Sequence, residues 1–500
     1  MNSFSRRTFV LGLAGTALVP RSYADPFRLG IASGDPAPDS VVLWTRLAPS
    51  PLDADGQGGM PDADIPVDWQ IATTSSFGKV VGSGTVQARY ADAHTVHVVA
   101  NGLRPDAEYF YRFRARGHVS PTGRTLTTPA FDAPGRDLTM LFACCSNLES
   151  GFFTAYRRMA EEHADLILHV GDYIYEGAAK PGNVRVHLGP EILTLPDYRR
   201  RYGQYKMDPD LQAAHASAPW VVVPDDHDVE DDYAGIYRFD DVPPLTPDQW
   251  VTRRTAAYRA YYEHLPLRPS SAPIGNSVQL YRRLYWGRLA TFHMLDTRQF
   301  RSRLACGGGW KVCPEADQAA RSITGAAQEA WLLDGFAQHH GTWDILGQQV
   351  FFAGRLDPTG VGNMDSWDGY RASRSRIQRG WQDRHVRNPV VLTGDIHMAW
   401  ANDLKADYRD EGSATIGTEL ICTSLTSRGD GTPDTTVPGQ ATNPHLRFYS
   451  DRRGYCRTRI TPCQLTVDFR ALDFVKLPGA PATTLRSFAV RDGRPGLQPL

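Results

Sequence analysis

Four short segments of the sequence carry side chains of the types that can bind metal ions. They are Cys144-Cys145-Ser146-Asn147, Gly171-Asp172-Tyr173-Ile174-Tyr175-Glu176, Asp225-Asp226-His227-Asp228 and Gly394-Asp395-Ile396-His397. An Asp after an apolar run usually caps a turn or a helix, so one such segment alone would indicate little. Four segments together, all with oxygen, nitrogen or thiol donors, favour a metal centre.

The spacing inside two of these segments suits metal binding. Asp172 and Tyr175 are three residues apart, so a single turn can aim both side chains inward. Asp395 and His397 alternate across one residue and can reach two different ions. Because a carboxylate has two oxygens, Asp172 is our candidate for a bridge between two ions.

The four segments follow apolar runs, and these runs alternate with helical patterns, which is typical of layered α/β folds. Ligands in such folds bind at the carboxyl ends of the strands, where loops hold several side chains at one point. Gly171 and Gly394 would let the backbone turn sharply beside a ligand. The predicted strands cover residues 138–143, 165–170, 218–223, 289–295 and 390–393, and the predicted helices cover residues 151–162 and about 197–215.

The part of the chain from residue 25 to 133 shows a different pattern, with short strands separated by turn signals. Examples are residues 41–45, 67–71, 95–99 and 109–114. This pattern predicts a small β-sandwich of the immunoglobulin or fibronectin type. It carries no plausible catalytic cluster, so we expect it to support or cover the next domain. Residues 134–500 would then form the catalytic domain.

The N-terminus is typical of a targeting segment. Two arginines, Arg6 and Arg7, directly precede an apolar run that ends at about Val19 and is too short to span a bilayer. Small residues then stand at the cleavage positions before residue 25. We therefore predict a twin-arginine signal peptide over residues 1–24, the twin-arginine export machinery as a partner, and a periplasmic or secreted protein without a membrane anchor after cleavage.

The net charge of the chain argues against nucleic acid as a partner. The formal net charge of the 500 residues is −1, and removal of residues 1–24 takes away three arginines and no acid. The mature chain therefore lacks the basic excess that marks a nucleic-acid-binding protein. Any attraction of a phosphate group must be local.

The seven cysteines are an odd count for an oxidising compartment. Cys306 and Cys313 flank a glycine-rich loop, Cys456 and Cys463 flank a predicted hairpin, and each pair could form a disulfide. Because seven is an odd number, at least one thiol has no disulfide partner, and this thiol could bind a metal. The cysteines outside these two pairs are Cys144, Cys145 and Cys422.

The order of the four segments is similar to that of the calcineurin-like metallophosphoesterases, with three departures. Cys145 stands in place of an opening Asp-x-His, Asp225-Asp226-His227 in place of Gly-Asn-His, and Gly394-Asp395-Ile396-His397 in place of Gly-His-x-His. These departures resemble the PhoD-like alkaline phosphatase and phospholipase D family. Further stretches that resemble this family are residues 198–202, 261–266, 295–301 and 365–370.

This resemblance implies a layered αββα metallophosphoesterase domain with one iron(III) site and one or two calcium sites. Cys145, Tyr175 and His397 would hold iron, with Asp172 shared, and the family spacing selects Cys145 over Cys144. Asp226 and Asp395 would hold calcium, and Asp225, Asp231 and Asp232 are further candidates, of which Asp225 is our choice. Thiolate with phenolate favours a trivalent ion, and carboxylates suit calcium.

The expected reaction is hydrolysis of phosphate monoesters, diesters or both by a metal-activated water or oxide. His227 would donate to the leaving group or to a charged oxygen, or alternatively orient Asp226. Arg254 is our candidate for a phosphate clamp, with Arg253 as an equal alternative. The resemblance also suggests His445 and Arg447 at the mouth of the site.

Two other functions stay open at this level. The first is a phospholipase D-like phosphodiesterase that acts on phospholipids, because monoesterases and diesterases use the same metals. The second is an inactive surface-binding protein, in which the β-sandwich binds a polymer or a partner. The retention of donor residues at all four strand ends argues against the second function.

Overall fold

The structure is a computed structural model that describes residues 24–239, 244–410 and 412–500. Apart from Ala24, the predicted signal peptide lies outside these ranges. None of the described helices is long and apolar enough to cross a membrane.

The described chain forms strands and α-helices in an irregular alternation. The strands are β1 (Ile31–Gly34), β2 (Ser40–Arg46), β3 (Ile65–Ala72), β4 (Val80–Ala88), β5 (Thr95–Asn101), β6 (Glu108–Ala115), β7 (His118–Val119), β8 (Gly123–Leu126), β9 (Leu138–Ala143), β10 (Leu166–His169), β11 (Trp220–Val222), β12 (Arg282–Trp286), β13 (Ala290–Met294), β14 (Trp310–Lys311), β15 (Trp343–Gly347), β16 (Gly362–Asn363), β17 (Pro389–Thr393), β18 (Ala399–Lys405), β19 (Thr415–Ile421), β20 (Leu446–Ser450), β21 (Gly454–Ile460), β22 (Gln464–Leu472), β23 (Ala482–Arg491) and β24 (Arg494–Pro499). The α-helices are α1 (Thr154–Glu161), α2 (Leu195–Lys206), α3 (Pro209–Ser217), α4 (Pro247–His264), α5 (Gly325–Phe336) and α6 (Arg371–Asp383).

Two large sheets dominate the fold. A ten-stranded sheet has the order β24-β23-β22-β21-β9-β10-β11-β1-β2-β5, and a seven-stranded sheet has the order β12-β13-β15-β17-β19-β18-β20. Strands β9, β10 and β11 are parallel to one another, as are β13, β15, β17 and β19. The predicted α/β class is therefore confirmed.

Three hydrophobic clusters join these sheets to their neighbours. One contains residues of both sheets, such as Leu168 of β10 and Leu392 of β17. A second joins Ile167, the neighbour of Leu168 on the other face of β10, to helices α1–α4. A third joins the seven-stranded sheet to α5 and α6. Because strand side chains alternate between faces, each central strand contributes to two of these clusters.

The N-terminal strands belong to two sheets that share one core. Strands β3, β4, β6, β7 and β8 form a five-stranded sheet. Strands β1, β2 and β5 lie in the ten-stranded sheet, which β1 joins through the parallel pairing of Gly34 with Trp220 in β11. A single hydrophobic cluster contains Leu43 of β2 and Val67 of β3. One sheet thus continues across the predicted domain boundary at residue 133.

The helical region predicted over about residues 197–215 is confirmed, and it consists of two helices. Helix α2 ends at Lys206 and α3 begins at Pro209. Asp208 between them is extended, with φ −70° and ψ 123°, and its carboxylate accepts hydrogen bonds from the first turn of α3. A proline lacks the amide proton that a continuous helix needs and pushes the preceding residue out of the helical region.

The disulfide predictions have different outcomes. Cys306 and Cys313 form a disulfide with a Cα–Cα distance of 6.1 Å, as predicted. The pairing of Cys456 with Cys463 is wrong, because both thiols are free. Cys456 is buried in strand β21 opposite Phe469, whereas Cys463 is exposed in the turn that follows β21. The register of the hairpin thus separates the two residues.

Candidate metal centre

The four predicted segments lie at the ends of four strands. Cys145 follows β9, Asp172 follows β10, and Asp225 and Asp226 follow β11. These three strands are adjacent and parallel, so their loops leave the ten-stranded sheet at one edge. Asp395 follows β17 of the other sheet, and the centre therefore lies where the two sheets meet.

Several of the predicted ligands have an unusual backbone conformation. Cys145, Asp172, Asp395 and His397 have φ values of 59°, 54°, 65° and 61°. This left-handed region costs a non-glycine residue about 1–3 kcal/mol, and residues that adopt it often cluster at functional sites. The strain turns each loop abruptly after its strand and directs the side chain into the centre.

The two glycines that precede these residues act differently from each other. Gly171 has φ 113°, and a Cβ atom there would lie 2.3 Å from Cβ of Asp225, so both the turn and the close approach require glycine. Gly394 has no such φ, but a Cβ atom would lie 2.9 Å from Cβ of Cys144. The predicted sharp turn is confirmed at Gly171 only, and Gly394 is needed for packing.

One group of donors contains the predicted iron ligands. Donor atoms of Cys145, Asp172 and His397 all lie within 4.8 Å of one another. The Tyr175 hydroxyl donates a hydrogen bond of 2.9 Å to Oδ2 of Asp172 and lies 2.9 Å from Nε2 of His397. Burial and then the charge of Arg428 lower the pKa of His397 well below its usual value, so the imidazole is neutral and able to bind a metal.

A second group of donors is made of carboxylates. Asp225, Asp226 and Asp395 have oxygens within 4.8 Å of one another, and so do Asp226, Asp231 and Asp232. Asp172 and Asp226 also share such a group with His227. Asp172 therefore connects the first group to Asp226 of the carboxylate group, which is the position that a bridging ligand requires.

Burial and mutual repulsion perturb these carboxylates. Burial followed by repulsion from Cys145 raises the pKa of Asp172 well above its usual value. Burial also raises the pKa of Asp225 to about 7 and that of Asp232 to about 9. Burial alone would raise the pKa of Asp226 too, but Arg298 and His227 hold it below the usual range. The centre is thus a concentration of acids that cations would stabilise.

Unpartnered atoms give an independent test of whether metals fit. Oδ1 of Asp172, Oδ2 of Asp225 and Nδ1 of His397 are buried and have no hydrogen-bond partner among the described residues. A buried polar atom without a partner costs about 1–3 kcal/mol. Metal ions held by these donor types would remove that cost for the carboxylate oxygens.

Arg298 contacts the carboxylates of the candidate centre, and the sequence analysis gave it no role. Its buried guanidinium lies 2.5 Å from Oδ1 of Asp225, 3.3 Å from Oδ2 of Asp226 and 2.6 Å from Oδ1 of Asp365. Arg301 also lies 2.6 Å from the same oxygen of Asp365. Arg298 and Asp365 occur in segments that resemble the family, and that resemblance was the available signal.

His227 is held beside the donors by Glu176, which sequence reasoning also missed. Nδ1 of His227 lies 2.8 Å from Oε2 of Glu176, and the imidazole ring lies 4.2 Å from the ring of Tyr175. Burial opposes protonation, but the charges of Glu176, Asp172 and Asp226 raise the pKa of His227 well above its usual value. The His227 side chain is 21% exposed, so the imidazole at the centre is in contact with solvent.

The arginines predicted to bind phosphate have other contacts. Arg254 donates a hydrogen bond to the carbonyl oxygen of Gly235, and Arg253 lies 2.7 Å from Glu191. Neither arginine has a hydrogen bond or an ion pair with the donor groups among the described residues, so phosphate binding by Arg254 has no support from its contacts.

His445 and Arg447, which were predicted at the mouth of the site, also contact residues outside the donor groups. Nε2 of His445 lies 2.7 Å from the carbonyl oxygen of Gly354. Arg447 lies 2.5 Å from Oδ2 of Asp403. Neither contact involves a donor of the centre.

The fold and the site together define an α/β protein with a candidate metal centre at its strand ends. A family model described as PhoD-like phosphatase matches residues 140–469, and one described as PhoD-like phosphatase, N-terminal domain, matches residues 13–129. The chain belongs to the PhoD-like phosphatase family and is a hydrolase of phosphoric esters.

Individual relatives agree with this family. Alkaline phosphatase D of Bacillus subtilis (strain 168) is 43% identical over 530 aligned residues, which cover 99% of this chain and 89% of the relative. The solved structure of PhoD is 44% identical and has a TM-score of 0.92, with coverage of 96% of this chain and 93% of that chain. The similarity therefore extends over nearly the whole molecule.

Proposed function

We propose that the protein is an exported, metal-dependent phosphoesterase of the alkaline phosphatase D type. It hydrolyses phosphate monoesters, diesters or both. One observation carries this proposal. Asp172 lies beside the thiol of Cys145, the phenol of Tyr175 and the imidazole of His397, and it also lies beside the carboxylate of Asp226. The chain that holds these donors is similar over nearly its whole length to alkaline phosphatase D. Buried carboxylates and other polar side chains without partners destabilise the folded protein unless cations bind them.

The donor types suggest how metals divide between the two groups. Cys145, Tyr175 and His397 would hold iron(III), and Asp172 would contact it as well. Calcium would bind the carboxylates Asp225, Asp226 and Asp395. Bound metals would supply positive charge at the phosphoryl oxygens and lower the pKa of a water molecule.

The protein's own residues then have distinct tasks. The protonated imidazole of His227 faces the centre and would give its proton to the departing alkoxide. Glu176 holds the ring through Nδ1, so the proton on Nε2 is the one available for transfer. Arg298 forms ion pairs with Asp225 and Asp226. Its positive charge would hold these two carboxylates in position when no metal ion is bound.

We also propose how the remaining parts of the chain contribute. The two sheets with their helix-lined outer clusters would form the αββα layers of a metallophosphoesterase domain over residues 134–500. Residues 25–133 would form the N-terminal β-sandwich, supported by the core shared between β2 and β3. The twin-arginine segment within residues 1–24 would bring the protein to the periplasm or the medium.

The test of this function is a comparison of turnover among an aryl phosphate, a bis-aryl phosphate and phosphatidylcholine. The protein is assayed as purified, after removal of metals, and after addition of iron and calcium. We expect hydrolysis of an aryl ester that metal removal abolishes and metal addition restores. A clear preference for the lipid would favour the phospholipase D-like alternative. Absence of both metals, with no hydrolysis after their addition, would favour an inactive binding protein.

A further inference from the structure

The loop after strand β19 carries an exposed arginine directly beside the candidate metal centre. The neighbour of Arg428, Ser427, has its hydroxyl 2.7 Å from the Tyr175 hydroxyl. Arg453 donates hydrogen bonds to the carbonyl oxygens of both Ser427 and His397. Hydrogen bonds therefore connect the loop to the predicted metal ligands Tyr175 and His397, while the Arg428 side chain is exposed.

The backbone of Arg428 resembles that of the predicted ligands. Its φ is 69°, in the left-handed region. Six of the seventeen non-glycine residues with positive φ in the described chain lie at this centre, which is far more than chance placement would give. These six are Cys145, Asp172, Asp232, Asp395, His397 and Arg428.

A second arginine lies near the centre on an aromatic platform. The guanidinium carbon of Arg355 lies 4.7 Å from the ring centroid of Trp310, 4.6 Å from that of Phe351 and 5.4 Å from that of Trp400. Phe351 and Trp400 pack in the same hydrophobic cluster as Ile396, the middle residue of the Asp395–His397 loop. Stacking of this kind fixes the guanidinium plane and leaves its N–H groups available.

The order of the strands places these two arginines on opposite sides of that loop. Arg355 lies beyond β15, residues 395–397 follow β17, and Arg428 lies beyond β19, and these strands are consecutive in the sheet. The electrostatics agree with this placement. Burial lowers the pKa of Arg355, and Asp395 is among the carboxylates whose charges partly oppose that shift.

Neither arginine is neutralised by a partner. Among the described residues, the guanidinium groups of Arg355 and Arg428 have no ion pair and no hydrogen bond, whereas Arg298 forms ion pairs with several carboxylates. Two free guanidinium groups beside an acidic, metal-binding centre suit a ligand that is itself anionic. Guanidinium groups bind phosphoryl oxygens two at a time.

We propose that Arg355 and Arg428 bind the non-bridging phosphoryl oxygens of the substrate from the two sides of the Asp395–His397 loop. This inference rests on the proposed function and assigns the phosphate-binding role to these residues instead of Arg254. A phosphate monoester presents more charge and more non-bridging oxygens than a diester does. The pair would therefore favour monoesters.

The experiment compares the wild type with Arg355→Ala, Arg428→Ala and Arg428→Lys, all loaded with metal. Arg409→Ala is the matched control, because that side chain is 90% exposed and pairs with its neighbour Asp407. Calorimetry gives the Kd for inorganic phosphate, and steady-state kinetics gives KM and kcat for an aryl phosphate and a bis-aryl phosphate. Metal content is measured for every variant.

We expect each alanine variant to raise the phosphate Kd and the monoester KM by about tenfold or more, since hydrogen bonds to charged groups are at stake. Diester kinetics should change less, Arg428→Lys should recover part of the loss, and Arg409→Ala should match the wild type. Metal content should stay unchanged.

A phosphate Kd that changes less than about twofold in both alanine variants would overturn the inference, and so would losses that only follow loss of metal. A wild type that binds phosphate through both arginines but hydrolyses no ester would overturn the proposed function and still support the arginine pair.

Discussion

The Sγ atoms of Cys144 and Cys422 lie 3.2 Å apart in the core between the two large sheets. The thiol of the next residue, Cys145, lies instead with Asp172 and His397. Cys145 has φ 59°, so the chain leaves the extended conformation at this residue and the two thiols have different neighbours. One thiol of the Cys144-Cys145 pair therefore packs against another cysteine, and the other is available to a metal.

This difference predicts opposite results for two alanine variants. Cys145→Ala should lose iron, visible absorbance and activity together, as should Tyr175→Phe, which removes the hydroxyl beside Asp172 and His397. Cys144→Ala should keep metal and activity and lose only about 1 kcal/mol of stability from its buried contacts. Iron content and absorbance spectra of the purified variants check this. An inactive, iron-free Cys144→Ala beside an unaffected Cys145→Ala would reverse the assignment.

Replacement of His227 should affect chemistry more than metal binding. The imidazole contacts Glu176 and faces the centre, so His227→Ala should lower kcat by about 10²–10⁴-fold for an alkyl phosphate, whose leaving group needs a proton. The loss should be much smaller for a nitrophenyl phosphate, whose leaving group is stable as an anion. Glu176→Gln should give an intermediate effect. Equal losses for both leaving groups, or loss of metal, would indicate a positioning role.

The cysteine pairing predicts a thiol count. With one disulfide between Cys306 and Cys313, the denatured, metal-free chain should react with a thiol reagent at the five remaining cysteines. Cys463→Ser should remove one thiol from the native protein as well, because Cys463 is exposed whereas the other four are buried. A count lower by two, restored by reduction, would show that Cys456 and Cys463 pair after all.

Acid should destabilise the protein through His169. This side chain is 1% exposed, its Nε2 lies 3.1 Å from the Tyr156 hydroxyl, and burial lowers its pKa from 6.5 to about 3. Below about pH 6.5, His169 is protonated in the unfolded chain but stays neutral in the folded chain. The free energy of unfolding therefore decreases as the pH falls from about 6.5 toward 3. The loss from this one group is about 2 kcal/mol at pH 5.

The check is urea denaturation of the wild type and His169→Asn at pH 7.5 and pH 5. The stability advantage of the wild type over the variant should shrink by about 2 kcal/mol at the lower pH. An advantage that is independent of pH would mean that His169 is not the group that titrates.

The sequence could predict the strand-end donors because the relevant information is local. Each segment directly follows an apolar run, and the carboxyl ends of parallel strands meet at one edge. The different surroundings of Cys144 and Cys145 depend instead on the left-handed backbone at Cys145, which the local pattern does not indicate. The break between α2 and α3 was also readable, since Asp208-Pro209 combines a helix cap with a helix breaker.

Other features depend on long-range packing that no local pattern encodes. Arg298 meets Asp225 from a position 73 residues away in sequence and Asp365 from one 67 residues away. The family resemblance marks the segment that contains Arg298, but only the fold shows which carboxylates this arginine contacts. The separation of Cys456 from Cys463 likewise depends on the register between β21 and β22, which periodicity alone leaves open.

The metal content of the purified, active enzyme tests the central claim most directly. Elemental analysis should find iron together with calcium, and the iron should absorb visible light through its thiolate and phenolate ligands. Fully active enzyme that is colourless, contains zinc and lacks both iron and calcium would contradict the account.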